Sequence, residues 1–182
     1  MKREWMINLG LLFATLLLFF GGIELMLRLT GLVKIGDYTP PIYQTSDNPT
    51  ISYTLKANMR ERAFRNTVTT NSLGFRSGKI DDAKDTIAVL GDSITFGYGV
   101  ADTETLPAQL QKSFPEHNVI NAGTPGYHIK QEVALYQEKI APLDPQALVL
   151  IFYWNDFDTR TSWLDDKNVL RAPGWEPQDT AC

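Results

Sequence analysis

The feature that most constrains this chain is an uncharged run of nineteen residues from Trp5 to Ile23. As a helix rising 1.5 Å per residue, it would reach ~28 Å, about the thickness of a bilayer core. Lys2 and Arg3 precede the run, which favours a cytoplasmic N-terminus and a translocated remainder. The sequence Gly21–Glu24 is a poor match to a signal-peptidase site. We therefore expect residues 1–30 to be an uncleaved, single-pass signal anchor in the cell membrane, with an extracytoplasmic C-terminal domain. A cleaved signal peptide and a buried core helix are the alternatives.

Composition excludes several other classes of protein. Lys and Arg number 17 against 21 Asp and Glu, a net charge of −4, which argues against a general nucleic-acid binder. The single cysteine, Cys182, allows neither an intramolecular disulfide nor a cysteine-based metal site. The two histidines, His117 and His128, are too few for a multi-histidine centre. We expect no metal and no cofactor.

Residues 31–84 are predicted to be a linker and juxtamembrane segment. The stretch 31–50 is rich in Gly, Pro, Asp, Asn, Ser and Thr, a composition typical of linkers. Short strand-like pieces follow at 51–55 and 67–70. A basic cluster lies between them and is either a solvated face or a contact with anionic lipid headgroups; it comprises Lys56, Arg60, Arg62 and Arg65.

Residues 85–182 show strands alternating with helices. The apolar runs predict strands at Thr86–Leu90, Asn118–Asn121 and Ala147–Phe152, and the spacing predicts helices at Thr105–Phe114 and Lys130–Ile140. This alternation indicates βαβ units and an α/β fold with a parallel sheet covered on both sides. The third strand is hydrophobic on both faces. Three strands are few for this class, and the last thirty residues lose the rhythm, with Trp163 and Trp175 lacking an evident core partner. We therefore expect residues 85–182 to be the N-terminal part of a larger domain.

Each predicted strand ends in an unusual polar or glycine sequence. These are Gly91–Gly97, Asn121–Tyr127 and Tyr153–Asp156. Ligands of open parallel sheets bind at the carboxyl ends of the strands, so the three segments are expected to line one crevice.

The residues in these segments suit nucleophilic acyl transfer. Ser93 supplies a hydroxyl and its own backbone N–H, Gly126 an unscreened backbone N–H, and Asn155 a side-chain amide. A hydroxyl beside three convergent donors is the layout of a nucleophile with an oxyanion hole. Singly, each segment is also an ordinary turn or helix cap. Their order at successive strand ends favours the site.

Two competing motifs are absent, the nucleophile elbow of α/β-hydrolases and the phosphate-binding loop of nucleotide-binding proteins. Thr95 stands where the second glycine of Gly-x-Ser-x-Gly should be, which excludes the usual α/β-hydrolase elbow. No Gly-Lys-Ser/Thr phosphate loop occurs.

The three segments resemble the conserved blocks of the SGNH (GDSL-type) hydrolase superfamily. Gly91–Thr95 is similar to its first block, Gly126 matches the glycine of its second, and Tyr153–Asp156 is similar to its third, with Tyr153 replacing a glycine. The segment Asn71–Arg76 and the anchor look like the membrane-anchored bacterial branch. The resemblance implies a doubly wound (flavodoxin-like) parallel three-layer sandwich, incomplete in this chain. It also implies a nucleophilic Ser93, an oxyanion hole of Ser93, Gly126 and Asn155, and supporting roles for Asp92 and Asp156.

The Asp-x-x-His block of that superfamily is missing. Three residues before His117 stands Phe114, and three before His128 stands Pro125. A serine without a base is a weak nucleophile. We therefore expect a fragment that lacks the catalytic His and Asp and is inactive alone; a short non-hydrolytic form, or His128 as a substitute base, are the alternatives.

The resulting functional expectation is a serine esterase or acylhydrolase of the cell envelope. Its substrate would be an ester-bearing small molecule, lipid or polysaccharide. Two alternatives stay open. One is an O-acyltransferase that modifies envelope polysaccharide, and the other is a non-catalytic tethered glycan-binding module.

Overall fold

The computed structural model describes residues 2–30, 39–158 and 160–172, and the chain divides into two compact units, 1–38 and 39–182. The first unit contains one long helix, α1 (Lys2–Thr30). Over Glu4–Thr30 its mean hydropathy is 2.1 and its side chains are exposed. By length and composition this helix can cross a membrane. Arg28 and Glu24 form an ion pair one turn apart, with 2.7 Å between Nη2 and Oε1.

The second unit begins with two small antiparallel hairpins. The first pairs β1 (Tyr43–Thr45) with β2 (Tyr53–Leu55), and the second pairs β3 (Arg60–Ala63) with β4 (Asn66–Thr69). Fully buried side chains of the first hairpin region enter the main core; they are Ile42, Ile51 and Tyr53. Over 39–84 this differs from the expected linker and juxtamembrane segment, because side chains between Ile42 and Ile80 pack in one cluster with those of the sheet. Residues 31–38 lie outside the described residues. A three-residue strand among turn-forming residues leaves no periodic signal.

A parallel three-stranded sheet forms the centre of this unit. Its strands are β5 (Thr86–Gly91), β6 (Asn118–Asn121) and β7 (Ala147–Ile151), in the order β6-β5-β7. The connecting helices are α2 (Ser93–Phe96), α3 (Leu106–Ser113) and α4 (Ile129–Leu135), and α4 continues as a π-helix to Ile140. The α/β class, the three strands and both long helices are confirmed, with boundaries that shift by a few residues.

Strand β5 is buried on both faces because successive side chains point to opposite sides. Ile87 and Val89 pack with Val119 against Leu110 of α3. Ala88 and Leu90 lie in the larger cluster, which also contains Ala134 and Leu135 of α4 and side chains of the first hairpin. The helices therefore hold the carboxyl end of β5 from both sides.

Strand β7 departs from the expectation that it is buried on both faces. It lies at one edge of the sheet, and Leu148, Val149 and Leu150 are 49%, 38% and 45% exposed. The apolar run had predicted a covered strand, since parallel strands are ordinarily covered on both faces. That expectation is wrong for β7 within the described residues.

The residues after the sheet are less irregular than expected. They form a hairpin of β8 (Trp163–Leu164) and β9 (Leu170–Arg171), and Leu164 enters the main core. Ser52 Oγ donates to the Ser162 carbonyl at 2.8 Å, which ties this hairpin to the first one. Trp175 and Cys182 lie outside the described residues.

Candidate active site at the carboxyl ends of the parallel strands

Ser93 lies where β5 turns sharply into α2. Asp92 caps this helix, because its Oδ1 accepts a 2.8 Å hydrogen bond from the Ile94 N–H. Gly91 has φ +148°, and a Cβ there would lie 2.1 Å from Thr95 Oγ1, so the turn requires glycine. The junction places Ser93, which is partly exposed, at the first helical position.

Asn155 lies beside Asp92. It belongs to the 3₁₀ turn Trp154–Phe157 that follows β7, and its Nδ2 donates a 3.0 Å hydrogen bond to Asp92 Oδ2. Ser93 Oγ lies 3.5 Å from the same oxygen, a distance at which a hydroxyl is only loosely held. The structure thus brings the predicted nucleophile and one predicted oxyanion donor to a shared carboxylate. The second N–H of Asn155 has no partner among the described residues.

Asp156 holds the turn that carries Asn155. Its side chain is fully buried, and Oδ2 accepts a 2.6 Å hydrogen bond from the Tyr153 N–H. Burial raises the pKa of Asp156, the Tyr153 N–H opposes that rise, and Asp92 adds to it. Asp156 therefore lies buried beneath the turn that carries Asn155, and its supporting role in a site stays a prediction.

Gly126 lies in the loop that follows β6. The Thr124 N–H donates a 3.1 Å hydrogen bond to the Gly91 carbonyl, which attaches this loop to the end of β5. Gly126 has φ +83°, and a Cβ there would lie 2.8 Å from Tyr53 Oη, so the position favours glycine. Within the described residues, no hydrogen bond joins Gly126 to Ser93 or Asn155. Its predicted role in the oxyanion hole stays a prediction.

The same loop packs directly on the helix that carries Ser93. A Cβ at Gly123 would lie 2.2 Å from the Phe96 backbone N. Asn121 Nδ2 also donates to the Phe96 carbonyl at 3.3 Å. The loop and α2 are therefore in contact through backbone atoms.

Neither histidine contacts Ser93. His128 is the N-cap of α4; its Nδ1 accepts from the Lys130 N–H at 3.2 Å, and its Nε2 lies 3.1 Å from Thr161 Oγ1. Burial lowers the pKa of His128 and Lys130 lowers it further. The ring of His117 lies between Glu116 and Gln146. Both rings are engaged away from the serine.

Two cavities adjoin the site. One of about 360 Å³ contains Ser93 and is bordered by Tyr98 and Leu106, and another of about 650 Å³ is formed around Asn155 and Phe157. Both fall in the size range of small-molecule sites. A third cavity of about 390 Å³ lies beside α3, and Ser93, Gly126 and Asn155 do not line it. In the described part of the chain, no group of three His, Cys, Asp or Glu side chains is arranged to hold a metal ion.

Sequence reasoning missed two buried ionisable residues near the site. The Arg76 guanidinium donates to the carbonyls of Phe96 and Gly97, and so fixes the C-terminal end of α2. Glu132 of α4 is 1% exposed, and burial raises its pKa to about 8, with further contributions from Asp156 and Asp92. Arg76 closed a turn-like segment and Glu132 stood in an amphipathic helix, so neither gave a sequence signal of burial.

Comparison with known proteins gives no assignment: no family model matches this chain, and no curated protein matches it.

Proposed function

We propose that this chain carries the nucleophile and oxyanion donors of a membrane-anchored serine esterase or acylhydrolase, acting on O-acyl esters at the cell envelope. The observation that supports it is that Ser93 and Asn155, at the carboxyl ends of β5 and β7, both lie beside Oδ2 of Asp92. Strands β5 and β7 are neighbours in this parallel sheet. Ligands of doubly wound folds bind at the carboxyl ends of such strands. The proposed fold is the flavodoxin-like three-layer sandwich.

The proposed reaction begins with attack of Ser93 Oγ on the acyl carbon. The carbonyl oxygen gains negative charge, and the N–H groups of Ser93 and Gly126 and the amide of Asn155 stabilise it. The alcohol then leaves, and water or an acceptor hydroxyl takes the acyl group from the serine. Among the described residues both histidines have other partners, so in this proposal a base other than His117 and His128 accepts the proton of Ser93.

Acylation of Ser93 tests this proposal directly. The detergent-solubilised chain is incubated with p-nitrophenyl acetate in a buffer of a hindered tertiary amine, which accepts protons without attacking the ester, and acetylation is located by mass spectrometry of peptides. We expect acetylation of Ser93, its loss in Ser93→Ala, and a rate about 100-fold lower in Asn155→Ala because one oxyanion donor is removed. Ser72→Ala, an exposed turn position, is the control. Acetylation that is spread over several serines and unchanged by Asn155→Ala would contradict the proposal.

A non-catalytic tethered glycan-binding module is the second candidate. The observation that favours it is the absence of a histidine beside Ser93 in the described residues. Binding of envelope glycans that survives Ser93→Ala, together with no acetylation of Ser93, would support this candidate over the esterase.

We also propose that α1 spans the membrane with the second unit outside the cytoplasm. Its length and hydropathy support the crossing, and Lys2 and Arg3 before the apolar run support the orientation. Cys182 is the only cysteine, so a membrane-impermeant maleimide reports its side. We expect labelling in intact spheroplasts of a bacterial host. Labelling only after lysis would place the second unit in the cytoplasm.

A further inference from the structure

The second hairpin carries an arginine cluster made of Arg60, Arg62 and Arg65. Arg60 and Arg62 alternate along β3, so their side chains point to one side of the hairpin, while Glu61 between them points to the other. Arg65 lies in the turn that joins β3 to β4. All three side chains are exposed, and within the described residues their guanidinium groups have neither a hydrogen bond nor an ion pair. The proposed reaction makes no use of them.

The cross-strand partners of the arginine cluster carry no charge. In the register of the hairpin, Arg60 pairs with Thr69 and Arg62 with Thr67. Like charges on one face of a strand repel each other when nothing offsets them. The unit as a whole is acidic, because residues 39–182 contain 13 Lys and Arg against 18 Asp and Glu. The cluster is therefore a local positive patch that is complementary to an anionic surface.

The turn of this hairpin is fixed to the segment that follows the serine helix. Phe64 and Arg65 have φ +51° and +71°, a conformation that Asn and Gly ordinarily supply in two-residue hairpin turns. The Phe64 ring packs with its centroid 4.1 Å from that of Tyr98, and Asn66 Nδ2 donates a 2.8 Å hydrogen bond to the Gly99 carbonyl. These contacts hold the strained turn in place, so Arg65 is presented from a rigid support.

The chain also carries a helix that can bring this patch to a membrane. The helix α1, which ends at Thr30, is long and apolar enough to cross a bilayer, and eight residues, 31–38, join it to the second unit. A chain of that length spans at most about 30 Å. A tethered surface needs only weak attraction to dock, and one arginine beside anionic lipid favours the docked state about fivefold.

We propose that the arginine cluster docks on the anionic headgroups of the bilayer in which α1 anchors the chain. A guanidinium group suits this partner, because it can donate two parallel hydrogen bonds to one phosphate. The docking rests on the proposed membrane crossing of α1 and not on the esterase activity.

Docking has a consequence for the candidate site. Phe64 packs on Tyr98, and Tyr98 borders the cavity that contains Ser93. The docked hairpin would hold this cavity close to the lipid surface, so the ester attacked by Ser93 would be one presented at that surface. This consequence, unlike the docking, rests on the proposed esterase function.

Fluorescence quenching by the membrane tests the docking on the full chain. Cys182→Ser removes the native thiol, and Thr67→Cys, an exposed position opposite Arg62, takes a bimane label. The chain is reconstituted in nanodiscs of phosphatidylcholine, either alone or with one third phosphatidylglycerol, each with some lipid that carries a nitroxide quencher on its headgroup. We expect strong quenching only in the anionic nanodiscs. The difference should vanish when salt is raised from about 0.05 M to about 0.5 M, because the Debye length becomes short.

Variants of the arginine cluster test which charges are responsible. Replacing any one of the three arginines by Gln should lower the ratio of docked to undocked hairpin about fivefold, and replacing all three should lower it about 100-fold. A matched control removes three exposed lysines elsewhere and should change the ratio less than about twofold, since most of their field is screened; it combines Lys79→Gln, Lys112→Gln and Lys167→Gln.

Three results would overturn the docking. They are equal quenching in the two lipid mixtures, equal effects of the arginine and lysine variants, and release of the hairpin by millimolar inorganic phosphate at constant ionic strength. The last result would reveal a discrete phosphate site instead of a membrane surface. A chain that is not recovered with the nanodiscs would overturn the membrane crossing and the docking together, whereas a recovered but unquenched chain would overturn the docking alone. Acetylation of Ser93 tests the esterase proposal separately, whatever the quenching shows.

Discussion

Asn155 Nδ2 donates a 3.0 Å hydrogen bond to Asp92 Oδ2, and Asp92 caps the helix that begins at Ser93. One carboxylate thus joins the ends of two parallel strands. Its Oδ1 holds the serine helix and its Oδ2 holds the asparagine turn. The relative position of Ser93 and Asn155 depends on this side chain, and changes to it should affect both stability and acylation.

Two replacements of Asp92 distinguish the contribution of its hydrogen bond to Ile94 from that of its hydrogen bond to Asn155. Asp92→Asn keeps an oxygen for the Ile94 N–H but places an amide donor opposite Asn155, so it should cost about 1 kcal/mol of the free energy of unfolding. Asp92→Ala also removes the helix cap and should cost about 2 kcal/mol. Urea unfolding followed by near-UV circular dichroism measures both. The exposed Asp82→Asn should change the free energy by less than about 0.5 kcal/mol. Equal stability of Asp92→Ala and wild type would show that Asp92 holds neither element.

Arg76 should be irreplaceable by lysine. Its side chain is 1% exposed and donates a 2.8 Å hydrogen bond to Asp102. It also donates to three backbone carbonyls within residues 96–100, and its guanidinium carbon lies 4.7 Å from the centroid of the Phe96 ring. A lysine ammonium cannot reproduce this planar fork. Arg76→Lys should therefore lower the free energy of unfolding by about 3 kcal/mol, since it leaves buried acceptors and a carboxylate unpaired.

The matched control for Arg76 is Arg60→Lys on the exposed face of β3. That change should lie within about 0.5 kcal/mol of wild type. A similar loss in both variants, measured by the same urea titration, would mean that the contacts of Arg76 contribute nothing specific.

Gly123 tests the contact between the β6 loop and the serine helix. A Cβ there would lie 2.2 Å from the Phe96 backbone N and 2.6 Å from the Thr95 backbone C, so Gly123→Ala must displace one backbone segment. We expect a loss of about 3 kcal/mol and slower acetylation of Ser93. Gly78→Ala, where a Cβ meets nothing within 4 Å, should be close to neutral in both measurements. A folded, fully reactive Gly123→Ala protein would contradict the close packing described above.

The elements that the sequence predicted best are those with periodic apolar residues. Strand β5 combined an apolar run with a terminal glycine, and its prediction is confirmed to within one residue. Strand β1 was missed because three residues among prolines and asparagines show no period. Burial of β7 was predicted from its apolar side chains alone. The neighbours that cover a strand are a tertiary property, and here the side chains on both faces of β7 are exposed.

The candidate site was predictable only where the order of the strands along the chain determines which residues lie close together. Parallel strand ends meet at one sheet edge, so Ser93 and Asn155 were expected together, and Asp92 joins them. Glu132 was not foreseen, because the spacing that predicted a helix over Lys130–Ile140 did not indicate which of its polar side chains would be buried. In the structure Val133 is 47% exposed, while Glu132 and Gln131 are buried. Which polar residue of a helix faces a site depends on rotation about the helix axis, which short apolar patterns fix poorly.

Glu132 should also make the stability of the second unit depend on pH. Its pKa rises from 4.5 to about 8 on folding, so the native state holds its proton over a range in which the unfolded chain has released it. Between about pH 4.5 and pH 8 the unfolded state binds fewer protons, and the free energy of unfolding should therefore fall as pH rises, by up to about 1.4 kcal/mol per pH unit from this group. Above pH 8 the loss is complete.

Glu132→Gln removes this titration while keeping the side chain neutral. The difference in free energy of unfolding between Glu132→Gln and wild type should grow in favour of the variant from pH 5 to pH 8 and then level off. Asp156, whose pKa burial also raises, contributes in the same direction, but it is present in both proteins. Urea titrations at half-unit steps of pH measure the difference. A difference that is constant over this range would mean that Glu132 is ionised in the folded protein, in spite of its burial.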